Sequence, residues 1–259
     1  MSVSTPLRTV HATRYVAPLR EGGSLPGIVE ADDLGTYVCK FHGAGQGPRV
    51  LVAEVVVAGL AAALGIPTPD LVRIELDADI ARYEADEEVQ DLLRASLGAN
   101  LGSDFLPGSF GFDAACEPDP VVAARVLWLD ALVANVDRSW RNPNLLIWHG
   151  DLWAIDHGAC LYFHHSWGGG IGSPERFAAQ PYDLGDHVLA AYAERADLMT
   201  AADRHGRDVL TDATLTAVVE RVPDVWLGDD PGEQRAAYVA FLRARLDGPG
   251  AWVPAGGVR

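Results

Sequence analysis

The longest apolar stretch of the chain runs from Val50 to Ile66 and holds a single charge, Glu54. Pro48 stands just before it and Gly65 and Pro67 close it, so the spacing predicts a helix over residues 48–64. A segment this apolar must be covered by a sizeable core, and it is too short and too interrupted to span a bilayer. With 259 residues, the chain suits one large domain or two lobes sharing an interface. Glu54 sharpens the constraint. Set among Leu51, Val52, Val55, Val56 and Val57, its carboxylate either turns to solvent or finds a cation, because burying it unpaired is costly. Periodicity leaves both options open.

Short β-rich runs surround this helix, at 14–20, 26–31, 36–41 and 71–76. Residues 77–100 are polar and acidic with helical spacing, and 101–117 read as a Gly- and Pro-rich linking loop. A second apolar helix follows over 121–134, then a polar, proline-broken run, 135–144. Leu145–Trp148 and Leu152–Ile155 flank His149-Gly150-Asp151 in a hairpin pattern. Helical spacing returns over 184–203, 213–221 and 232–246. The expected fold class is therefore α+β, with a β-rich N-terminal lobe carrying one long helix (13–110) and a mostly helical C-terminal lobe (111–246). Residues 1–12 and 247–259 read as flexible ends.

Composition removes several function classes. Hydrophobic residues at 49% and charged residues at 22% fit a globular chain. A net charge of −16 argues against direct nucleic-acid binding and against anionic membranes. Three cysteines, Cys39, Cys116 and Cys160, make no disulfide framework, and the N-terminus lacks the apolar core of a signal peptide, so a cytoplasmic location is expected. Of the 20 basic residues only Lys40 is a lysine. Coding bias accounts for the scarcity of lysine; it leaves open why this one remains, near the end of the third strand.

Phosphoryl transfer from ATP requires backbone close to the phosphates, a point charge on them, a carboxylate beside the acceptor hydroxyl, and oxygen ligands for magnesium. Candidates for each occur in order. Gly22-Gly23-Ser24 lies between two strands, where bare backbone can face phosphate oxygens, although a Gly-Gly run is also the commonest hairpin turn. Lys40 follows, with Glu54 one helix later as its candidate partner. Asp137 and Asn142 stand five residues apart on the loop after the second helix, and Asp156 precedes Gly158 at the end of a strand. Other histidine and glycine motifs carry less. His149-Gly150-Asp151 lacks an Asn five residues beyond its Asp and reads as a turn. His164 and His165, read as strand residues on opposite faces, argue against a zinc site with His157 and Cys160. Gly168–Gly172 suits a mobile activation-type or substrate loop.

The run Asn135-Val136-Asp137-Arg138-x-x-x-Asn142, followed by Ile155-Asp156-His157-Gly158, resembles the catalytic and metal-binding segments of the HipA-like kinases. These share a fold with the phosphatidylinositol kinases. Tyr37-Val38-Cys39-Lys40-Phe41 and the Glu54 helix ending Leu64-Gly65-Ile66-Pro67 are similar to the N-lobe of the same group. The resemblance implies Asp137 as catalytic base, Lys40 on the ATP phosphates with Glu54 as its partner, and Asn142 and Asp156 as magnesium ligands. It also implies Gly22, Gly23 and Ser24 as the phosphate-covering loop and Arg141 as a further phosphate contact. Three positions depart from HipA proper: Ser139 replaces a histidine, Arg141 a lysine, and His157 the phenylalanine of the related Asp-Phe-Gly run. HipA also has an N-terminal subdomain for which this chain has no room, so a separate small partner chain that supplies it is an expectation, as is a place in a toxin–antitoxin pair. The implied activity is ATP- and magnesium-dependent transfer to a hydroxyl of a protein serine or threonine. A small-molecule or lipid-headgroup kinase and a non-catalytic pseudokinase are the alternatives.

Overall fold

The computed structural model describes residues 5–20, 25–82, 84–113, 115–248 and 250–254. Strands β1 (Arg8–Pro18), β2 (Gly27–Ala31), β3 (Thr36–Lys40), β4 (Leu71–Leu76) and β5 (Gly98–Asp104) close a barrel in the order β1-β2-β3-β5-β4. Every neighbouring pair is antiparallel except β1 and β4, which run parallel and close the barrel. Val10, Val29, Tyr37, Cys39, Val72 and Ile74 fill its interior. Alternation along β3 sends Tyr37 and Cys39 inward and leaves Lys40 on the other face, the side on which α1 lies.

Helix α1 (Pro48–Ala63) matches the expected span, and every residue from Leu51 to Ala61 is buried, Glu54 included. Helix α2 (Glu87–Ala95) is capped by Asp86, whose side chain accepts from the backbone N–H of Glu88 and Val89. Helix α3 (Pro120–Val133) is capped by Asp119 in the same manner and ends at Ala134, in a left-handed conformation (φ 52°). Strands β6 (Phe110–Gly111), β7 (Leu145–Trp148) and β8 (Asp151–Ala154) make a small antiparallel sheet. His149 and Gly150, with φ of 52° and 90°, supply its two-residue turn. Helices α4 (Pro174–Ala178), α5 (Ala196–Val209), α6 (Asp212–Val219) and α7 (Pro231–Asp247) complete the chain. Among the described residues no helix is long and apolar enough to cross a membrane.

Four segments differ from the sequence reading. Residues 8–12, read as part of a flexible N-terminus, belong to β1, where Arg8–His11 pair with β4 and Val10 is buried in the barrel. Residues 98–104 form β5, a central barrel strand, where the sequence suggests the end of a helical insertion and the start of a loop. Gly-Ala-Asn-Leu-Gly-Ser-Asp has no β-branched or aromatic residue to signal a strand. What it has is Gly102, where a Cβ would lie 2.4 Å from the Ile74 Cδ1 atom, so small size at the barrel centre decides the sequence. The segment over 184–195 is not one continuous helix with α5. Its backbone bonds elsewhere: the Val188 N–H donates to the Arg138 carbonyl, and the Asp186 carbonyl accepts from Trp140. Finally, residues 250–254 pack against the core. Trp252 is 1% exposed, meets Trp128 edge-on at 5.3 Å, and donates from Nε1 to the Arg245 carbonyl.

Candidate active site

Two chain reversals bring distant residues together. Lys40, at the end of β3, sends its ammonium to the Glu54 carboxylate on α1 and to Asp156 Oδ1 at 2.6 Å. The other Glu54 oxygen, Oε2, accepts from the His157 backbone N–H at 3.0 Å. Glu54 therefore takes the cation partner and clips α1 to the segment that carries Asp156. Gly158 makes the clip possible, since a Cβ there would lie 2.6 Å from Val50 Cγ1 and 3.2 Å from Glu54 Oε1. Asp156 itself has φ 53°, a conformation that short Asp side chains tolerate.

Burial and pairing compete in this cluster. Burial disfavours the charged Lys40, but the two facing carboxylates outweigh it and hold the lysine protonated, above its ordinary range. Burial raises the Glu54 carboxyl, against the pull of Lys40. Burial also acts to raise Asp156, whose side chain is 47% exposed, yet Lys40 prevails and keeps it below the usual carboxylate range.

The loop after α3 holds the second group. Asp137 Oδ2 accepts from the side-chain amides of Asn142 at 2.9 Å and Asn144 at 3.2 Å. The Asp137 backbone N–H donates to Asn135 Oδ1, and Asn135 Nδ2 donates to Asp130 Oδ1 on α3. Asp130 also receives Arg138 Nε at 2.5 Å and faces His187 Nε2 at 3.0 Å. Burial would raise the Asp130 carboxyl; Arg138 and His187 outweigh it and hold it well below the carboxylate range. Arg138 is fully buried. Besides Asp130 it donates to the carbonyls of Pro143, Asn144 and Ile155, and its Nη2 lies 3.4 Å from His157 Nδ1. One guanidinium thus braces the Asp137 loop against the Asp156 segment.

Lys40, Glu54 and Asp156 converge, and Asp137 and Asn142 meet each other; Arg138 joins the two groups. Arg141 sits elsewhere, with its guanidinium 4.3 Å from the Trp140 ring centroid and 3.6 Å from Asp186. Its side chain is 69% exposed. Gly22, Gly23 and Ser24 lie outside the described residues, between the paired ends of β1 and β2. Asp130, Asn135, Arg138, Asn144 and His187 carry the scaffold without having been assigned roles from sequence. Asp130 shows the same signal as Glu54, a carboxylate within a buried apolar helix; His187 shows none.

His157, where the related motif has phenylalanine, is 2% exposed. Burial, reinforced by the charge of Arg138, pushes its pKa down to about 3, so the ring is neutral and its Nδ1 accepts from Arg138. His164 and His165 do not alternate on a strand: they lie on the 3-10 helix Tyr162–Gly169, with ring nitrogens 3.2 Å apart. Among the described residues no group of three or more His, Cys, Asp or Glu could hold a metal by itself. A hard divalent ion shared with phosphate oxygens needs fewer protein ligands, and the Asp156 carboxylate and the Asn142 amide oxygen are of the right kind.

One solved structure shares this fold, and a second is a weaker likeness. The Helicobacter pylori proinflammatory kinase CtkA superposes with a TM-score of 0.58 over 93% of this chain and 94% of that one, at 11% identity. The Golgi casein kinase with Mn/ADP bound gives a TM-score of 0.48 at 13% identity, over 95% of this chain and 72% of that one. A comparison with curated protein sequences finds no significant match. A family model for HipA-like kinases spans residues 13–247, taking in both the Lys40–Glu54–Asp156 cluster and the Asp137 loop. The chain belongs to the HipA-like kinase family.

Proposed function

We propose that the protein transfers the γ-phosphoryl group of ATP, with magnesium, to a serine or threonine hydroxyl of a protein. The observation that carries this reading is the meeting of Lys40, Glu54 and Asp156 from three separate elements. In this reading residues 13–110 form the nucleotide-side lobe and 111–246 the acceptor-side lobe, with the cluster between them. Residues 22–24 cover the phosphates.

The charge balance supports a divalent cation. Lys40 already faces two carboxylates, so the cluster offers a polyphosphate no net positive charge. Magnesium, held by Asp156 and Asn142, would offset the phosphate charge and that of the transferring group. Lys40 then places its ammonium on the phosphate oxygens while Glu54 fixes its position. A compact ammonium fits between two carboxylates and a phosphate where a planar guanidinium does not.

Asp137 lies beside the acceptor and receives the hydroxyl proton as the oxygen–phosphorus bond forms and ADP departs. Asn142 and Asn144 hold its Oδ2, which leaves Oδ1 to face the hydroxyl. A protein acceptor is favoured because this loop is open: Val136 and Trp140, on either side of Asp137, are 72% and 60% exposed. Three unpaired cysteines fit a cytoplasmic location.

Asp137→Asn is the test. Removing a general base costs roughly 10²–10⁴ in turnover, while ATP affinity is expected to stay within about twofold. Unchanged turnover overturns the assignment. Label transferred from ATP to a metabolite extract and not to protein overturns the protein acceptor.

A further inference from the structure

The segment that follows Gly158 builds a pocket that the reaction chemistry does not use. The 3-10 helix Tyr162–Gly169 and α4 fold against α7 and leave a cavity of about 310 Å³, lined by Tyr162, Phe163, Trp167, Phe177 and Phe241. Its walls are fixed before any ligand arrives. Phe163 stacks on Phe241 at 4.3 Å and meets Phe177 edge-on at 4.6 Å, so the rings hold one another in place.

The pocket is tied to α3 at two places and to the loop after it at one, all by hydrogen bonds. The Leu161 N–H donates to the carbonyl of Val133, the last residue of α3. The Tyr182 hydroxyl donates to the carbonyl of Asn135, two residues before Asp137. The buried Arg245 guanidinium donates to Phe177 and Gln180 on the pocket wall and to Ala131 on α3. These bonds join the pocket to the helix and the loop that lead into Asp137.

Its chemistry is specific. The cavity is at the small end of ligand pockets, and the polar side chains that line it beside the rings, Ser166, Ser173 and Gln180, already bond to Phe163, Glu175 and Tyr162, which suits an apolar group better than a polar metabolite. Its one charged lining residue is Arg176, exposed at the rim and without a carboxylate partner among the described residues, although the chain carries a net charge of −16. The Trp167 Nε1 donor is buried with no hydrogen-bond partner.

We propose that this pocket is a specificity subsite for the acceptor polypeptide: it takes one large apolar side chain, and Arg176 meets an acidic residue beside it. The proposal rests on the protein-acceptor reading above. The aromatic walls select for leucine, phenylalanine or methionine, and Arg176 supplies the charge complementarity that an acidic neighbour matches.

The experiment uses the full chain with ATP and magnesium on a library of serine- and threonine-centred peptides, each flanking position varied in turn. One flanking position is expected to favour Leu, Phe or Met over polar residues by about tenfold or more in kcat/KM. A residue next to it is expected to favour Asp or Glu over Lys by about twofold to fivefold. Ser166→Trp, which fills the pocket from its exposed rim, is expected to flatten the apolar preference to within about twofold. Arg176→Glu is expected to reverse the charge preference and leave the apolar one. Each preference is a ratio within one reaction, so a loss of folded protein does not imitate the effect. Phosphorylation without an apolar preference, or with one that Ser166→Trp leaves intact, overturns the subsite and leaves the kinase reading standing. ATP turnover with no peptide labelled overturns the protein acceptor and the subsite with it.

Discussion

Replacing Gly158 by alanine adds one methyl group at the point where α1 and the Asp156 segment press together. The new Cβ would lie 2.6 Å from Val50 Cγ1 and 3.2 Å from Glu54 Oε1. The backbone at Gly158 is outside the left-handed region, so the strain comes from crowding alone. In isolation the change would stabilise by about 0.4–1 kcal/mol, through lost freedom in the unfolded chain. Crowding reverses the sign. Val50 is β-branched and rotates poorly within a helix, so the 156–158 backbone must yield, at about 1–3 kcal/mol. The displaced backbone carries the His157 N–H that Glu54 accepts and the carboxylate that Lys40 holds. Gly158→Ala is therefore expected to lose about 1–2 kcal/mol of stability in urea unfolding and more than about tenfold in phosphoryl transfer. Val50→Ala removes the colliding methyl. The double variant is expected to regain about 1 kcal/mol relative to the sum of the single changes. Its activity recovers only in part, because the new methyl still crowds Glu54. A single variant as stable and active as the parent refutes the steric account, as does a Val50→Ala change that restores nothing.

Two further predictions concern the buried scaffold. His157 and His164 are both held neutral by burial, with pKa values near 3 against the ordinary 6.5. The unfolded chain takes up those protons first, so their stabilisation is complete above about pH 6.5 and falls as pH drops toward 3. Together they remove about 4 kcal/mol between pH 8 and pH 5. Urea midpoints across that range check it, and His164→Gln should halve their share of the slope; a flat profile counts against it. Arg138→Met strands the Asp130 carboxylate and should cost about 3–5 kcal/mol, read by chemical denaturation. Arg138→Lys should recover less than half, because an ammonium cannot reach Asp130 and the surrounding carbonyls together. A loss below about 1 kcal/mol refutes the bracing role.

What was legible in the chain were the residues whose local context is anomalous. Glu54 is conspicuous because a carboxylate in an apolar helix needs a partner, and Lys40 because no other lysine competes for that place. Asp130 offered the same anomaly as Glu54, but its partners gave no matching sign. Arg138 lies eight residues on, one arginine among many, and His187 lies 57 residues on, in a stretch whose helical spacing gives way to bonds with the Asp137 loop. Strand β5 was illegible for a related reason. Gly102 is small because Ile74 fills the space in front of it, and nothing near Gly102 in sequence records Ile74. The Asp-x-Gly spacing lies between these cases. It is visible as a pattern, yet Gly158 is demanded by Val50, which lies 108 residues earlier and on a different element. The local spacing marks where the chemistry is; the reason a side chain is forbidden at its last position belongs to the packing of α1, and only the folded chain contains it.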